Sequence, residues 1–62
     1  MSPHAEIGSL ASTLDELTRR IGSMAEAAET EDEELASELF GVERALSGAL
    51  RRLRKLSESP RR

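Results

Sequence analysis

The side chains able to do chemistry are few and unsupported. His4 is the single histidine of the chain, so neither a histidine metal cluster nor a His-based dyad or triad can be assembled within one copy. Ser9, Ser12, Ser23, Ser37 and Ser47 have no base placed to activate a hydroxyl. The adjacent carboxylates of Asp15 and Glu16 sit one helical turn before Arg19 and Arg20. Solvated carboxylates beside arginines stay ionised, which is wrong for acid–base work. The run Glu29-Thr30-Glu31-Asp32-Glu33-Glu34 is the densest set of oxygen ligands, yet it lacks the spaced ligands and glycine of a calcium loop. No glycine-rich phosphate loop is present. These patterns predict a non-enzymatic chain with no cofactor and no metal.

One basic segment could recognise a polyanion: Arg51-Arg52-Leu53-Arg54-Lys55, with Arg61-Arg62 beyond it. Arg51, Arg52, Arg54 and Lys55 are its candidate contacts. The chain carries a net charge of −3, one Phe and no Trp or Tyr, so bases would have no aromatic platform on which to stack. The acids crowd elsewhere, from Glu26 through Glu38, which leaves the middle negative and the C-terminal end positive.

The elements that must position these groups follow from two apolar stripes. Ile7, Leu10, Leu14, Leu17, Ile21, Met24 and Ala28 form the first; Leu35, Leu39, Val42, Leu46, Ala49, Leu53 and Leu56 form the second. Spacing alternates between three and four residues, the pattern of helices packed at low crossing angle. Ser2 and Pro3 suit the cap and first position of a helix, and Thr30-x-x-Glu33 reads as a capping box for a second one. The spacing predicts helix 1 over about 5–29, a turn at about 30, helix 2 over about 31–57, and a disordered tail over 58–62. A turn so short forces the helices antiparallel. The expected seam sets Leu14 against Leu46, Leu17 against Val42 and Ile21 against Leu39, with rim pairs Glu6–Arg52 and Arg20–Glu38. Asp15–Arg19 and Glu16–Arg20 are favourable pairs one turn apart.

A second, smaller band runs beside the stripes: Ala11 and Ala25 on helix 1, then Ala36, Phe40 and Leu50 on helix 2. Phe40, at heptad position b, is expected off the seam. Aromatic anchors dominate many interfaces, so Phe40, Leu50 and Ala36 are candidate contacts with another chain. Gly41 and Gly48 share one helix face, where close approach of a partner would account for them; tolerated weakness in a long helix would account for them nearly as well.

A chain of 62 residues without cysteine lies near the lower limit for folding alone. A lone hairpin buries little, so self-association into a four-helix bundle is expected. No apolar run approaches the roughly 20 residues that span a bilayer, and no secretory signal opens the chain; a cytoplasmic protein is expected.

The stretches Thr13-Leu14-Asp15-Glu16-Leu17-Thr18-Arg19-Arg20-Ile21 and Glu38-Leu39-Phe40-Gly41-Val42-Glu43-Arg44-Ala45-Leu46 resemble those of short uncharacterised helical-hairpin proteins from high-GC bacteria. That resemblance covers most of the chain and implies no activity. In layout the chain is similar to the Rop-type dimeric hairpin, a plasmid copy-number regulator that binds paired RNA loops; the likeness implies architecture alone. The expectation is an all-α, coiled-coil-like antiparallel hairpin that dimerises and serves as a small adaptor or regulator, binding itself and an unidentified protein. The alternative is a small RNA- or DNA-binding regulator using the basic end of helix 2.

Overall fold

Ser2 opens the first helix. Its hydroxyl accepts from the Ala5 amide at 3.2 Å, its carbonyl accepts from the Glu6 amide at 3.1 Å, and Pro3 takes the first helical position. Proline has no amide to leave unpaired there, and its ring fixes φ near the helical value. These contacts carry the helix back beyond the expected start, so α1 runs over Pro3–Ala28. A computed structural model describes residues 2–58. Most of the tail expected over 58–62, with Arg61 and Arg62, lies outside the described residues; Glu58 is helical.

The turn departs from the expected one. Glu29 keeps a helical backbone (φ −56°, ψ −34°), and the Ala28 carbonyl accepts from both Glu31 and Asp32 amides, at 3.1 and 2.8 Å. Thr30 therefore lies inside the turn that closes α1 and does not cap the next helix. Asp32 does: its carboxylate accepts from the Leu35 amide at 3.1 Å, and its carbonyl from the Ala36 amide at 3.0 Å. The second helix, α2, runs over Glu33–Glu58. Glu33 and Glu34 fall in its first turn, where the positive end of the macrodipole favours acids.

The two helices lie antiparallel: Gly22 of α1 faces Glu43 of α2, and Asp15 faces Arg54. The Cα trace spans 48 × 16 × 10 Å, the dimensions of a flat two-helix plate.

The seam is not the expected one. In α1 the residues turned inward are Ala11, Thr18, Gly22 and Ala25, flanked by the half-buried Ile7, Leu14, Ile21 and Ala28. In α2 Ala36 and Leu50 are buried, with Leu39, Glu43, Leu46 and Leu53 half-buried beside them. Leu17 and Val42, expected to meet across the hairpin, are both exposed. Leu10, Leu17, Met24, Leu35, Val42 and Leu56 have rotated outward, and the band of mostly small residues has rotated in. Side-chain size accounts for this. Alanine, glycine and threonine admit a short interaxial distance, and long side chains at the same positions would push the helices apart. Thr18 is tolerated because its hydroxyl donates to the Leu14 carbonyl at 2.7 Å, leaving no unpaired donor.

Two predictions follow from these contacts. Asp32→Ala should lower stability by about 1 kcal/mol through loss of the cap, whereas Thr30→Ala should leave the melting temperature nearly unchanged. Ala25→Leu should destabilise by about 1–3 kcal/mol through overpacking of the seam, although it raises hydrophobicity. Thermal melts followed by circular dichroism check both.

Candidate functional site

The inward rotation of the small residues leaves a continuous aliphatic face outside. Leu10, Leu17 and Met24 recur at heptad spacing along α1, and Leu35, Val42, Ala49 and Leu56 do so along α2. Each lies one position before the seam line of its own helix. In an antiparallel pair, such flanking positions fall on the same side of the plate. Leu10, Leu17, Met24, Leu35, Val42 and Leu56 each keep between 45% and 58% of their surface in water. Between the two rows lie the half-buried Leu14, Ile21, Leu39 and Leu46. The result is one broad aliphatic surface on a thin plate.

The opposite flank is polar. Asp15 accepts from Arg19 at 2.6 Å and, across the hairpin, from Arg54 at 3.1 Å. Among the described residues these are the ion pairs present. Glu6–Arg52, Arg20–Glu38 and Glu16–Arg20, expected from the sequence, do not form. The Arg19 hydrogen bond and charge, with Arg54 adding to them, hold the Asp15 carboxyl below its ordinary value of 3.8. Gly22 lies on this flank, and a Cβ there would meet the Glu43 carboxylate at 2.8 Å. Its missing side chain makes room for that carboxylate.

The candidate contacts named from sequence divide accordingly. Ala36 and Leu50, at 2% and 8% exposure, are buried by the hairpin itself; the heptad phase that turns Ala11 and Ala25 inward on α1 does the same for them. Phe40 is half-buried and lies on the flank of Arg54, lining a shallow groove of about 420 Å³ with Ser37, Gly41 and Arg44. Gly41 is exposed, with open space where a Cβ would sit; at Gly48 the nearest atom is Arg51 Nη2 at 3.9 Å. Neither glycine is required for packing within the hairpin. Arg51, Arg52, Arg54 and Lys55 are all exposed at the open end, and Arg54 is engaged with Asp15.

Sequence reasoning found the residues of the aliphatic face and assigned them to the inside. The missed signal is the heptad recurrence of small residues, Ala11–Thr18–Ala25. Among the described residues no group of three or more His, Asp or Glu is placed to hold a metal ion, and no helix is long and apolar enough to cross a membrane.

Because the folded-state value of Asp15 is depressed, its contribution to stability is complete above pH 3.8 and is lost as pH falls below that through the lowered value. In an NMR titration of the Asp15 carboxyl, Arg19→Ala should raise the midpoint most and Arg54→Ala by a smaller step. An unmoved midpoint in Arg54→Ala would show that the cross-hairpin contact is absent in solution.

No family model, curated protein or solved structure matches the chain.

Proposed function

We propose that the chain is a non-enzymatic protein–protein interaction module, a small adaptor or regulator that acts as a homodimeric four-helix bundle joined through its aliphatic face. The observation that carries this reading is the row Leu10, Leu17, Met24, Leu35, Val42 and Leu56, about half exposed along one side of the plate. Scattered exposed leucines need no explanation, but a contiguous apolar face marks an interaction surface.

Energetics point the same way. The buried residues of the hairpin are mostly alanine, glycine and threonine, whose small side chains remove little apolar surface from water. Stacking two aliphatic faces supplies the missing core, so folding and association are coupled.

A second reading draws on a separate observation. Arg51, Arg52 and Lys55 are exposed and make no ion pair among the described residues, which suits a small RNA- or DNA-binding regulator that uses the basic end of α2. The two readings separate by salt, because counterion release makes polyanion binding fall steeply as salt rises.

Sedimentation equilibrium at micromolar concentration should give twice the chain mass, with a melting temperature that rises with concentration. Leu17→Glu should convert the protein to monomer and lower its helicity. On a hairpin that works alone, the same exposed substitution would stay within about 0.5 kcal/mol of the parent. A monomeric parent with a concentration-independent melt would overturn the reading.

A further inference from the structure

The hairpin is a charge dipole as well as an apolar plate. Its turn end carries Glu29, Glu31, Asp32, Glu33 and Glu34, all exposed. The open end carries Arg51, Arg52 and Lys55, also exposed. We propose that two copies stack aliphatic face to aliphatic face with their turns at opposite ends, so that the acidic turn of each chain lies beside the basic open end of the other. This inference rests on the dimer reading above and fixes the arrangement that reading leaves open.

Two face-to-face stackings keep every neighbouring helix antiparallel. With turns together, α1 lies over the partner's α2. With turns opposed, α1 lies over α1 and α2 over α2. Apolar contact does not choose between them, since both lay the leucine rows on one another. In the opposed arrangement Leu35 meets the second copy's Leu56, Val42 meets Ala49, and Leu46 meets itself across the two-fold axis. In the other, Met24 meets Leu35 of the second copy.

Charge does choose. Turns together would bring two copies of the five-acid cluster side by side and the two basic ends likewise, two like-charged clusters in contact at each terminus of the bundle. That stacking offers rim contacts Glu6–Arg52 and Arg20–Glu38 between copies, but exposed ion pairs contribute little each. Opposing the turns removes the like-charge repulsion at both ends and sets Glu38 near Arg52 on the rim of the stacked α2 helices. Like charges juxtaposed across an interface suppress a wrong arrangement more effectively than exposed pairs reward a right one.

The absence of cysteine makes the arrangement readable by disulfide trapping. Leu35 and Leu56 are both about half exposed, so replacing either does not empty the seam. Full-length Leu35→Cys and Leu56→Cys chains, mixed in equal amounts in a glutathione redox buffer, should form the mixed disulfide in high yield. The mixture of Met24→Cys with Leu35→Cys should not. The reverse pattern, or a dimer that traps neither pair, overturns the opposed arrangement. Sedimentation of the unmodified chain separates the two failures: a monomer removes the dimer reading and this inference with it, whereas a dimer with the wrong trapping pattern removes the inference alone. Added salt is a second readout with a sign. Screening should weaken association several-fold if the ends attract, and strengthen it if like ends are held together.

Discussion

The placement of small residues along the seam between the two helices is the constraint from which the rest of this structure follows. Ala11, Thr18 and Ala25 on α1 and Ala36 on α2 bring almost no side-chain bulk to the seam, and Gly22 leaves room for the Glu43 carboxylate above it. Once small residues occupy the contact, each long aliphatic residue one position away is turned to the outer face. A leucine in place of Ala11, Ala25 or Ala36 would bury more area by itself but would force the helices apart and forfeit the contacts of its neighbours. The hairpin is thus held by proximity, and its larger apolar residues are left available.

Polar interactions fix the alignment of the pair. Asp15 joins Arg19 of its own helix and Arg54 of the other, at 2.6 and 3.1 Å, in a cluster on the flank away from the leucines. Exposed pairs of this kind add little stability, but a carboxylate shared between two helices disfavours slippage of one along the other. At the opposite end the Ala28 carbonyl accepts two amides and Asp32 starts α2, so the chain reverses without a glycine at the turn. The acids of the turn are favoured by the start of α2, and the bases of the open end by its finish. The same local preference that stabilises one helix gives the whole hairpin its opposed charges.

The hairpin is a plate with a thin seam, one aliphatic side and one polar side. Its polar flank is satisfied internally at Asp15, while its aliphatic side is half exposed and has no partner among the described residues. The proposed self-association would complete the core across that side, and the distribution of charge along the long axis would give it a direction.

The sequence by itself determined the all-helical class, the two helices to within a few residues of their observed ends, the acidic turn and the antiparallel hairpin. Each of these depends on local preference or on periodicity: apolar spacing of three and four, acids before α2, Pro3 after a serine cap. The Asp15–Arg19 pair was legible for the same reason, being one turn apart. Tertiary structure alone decided which side of each stripe faces in. Ile7, Leu14, Ile21, Leu39, Leu46 and Leu53 border the seam in either phase, so periodicity leaves a choice between Leu10, Leu17 and Met24 on one flank and Ala11, Thr18 and Ala25 on the other. Ranking residues by hydrophobicity selects the leucines, whereas packing two backbones closely selects the alanines. The position of the α2 cap was decided in the same way. Thr30 and Asp32 are both competent caps, and the backbone that leaves Ala28 still coiled through Glu29 delivers Asp32, not Thr30, to the start of the next helix.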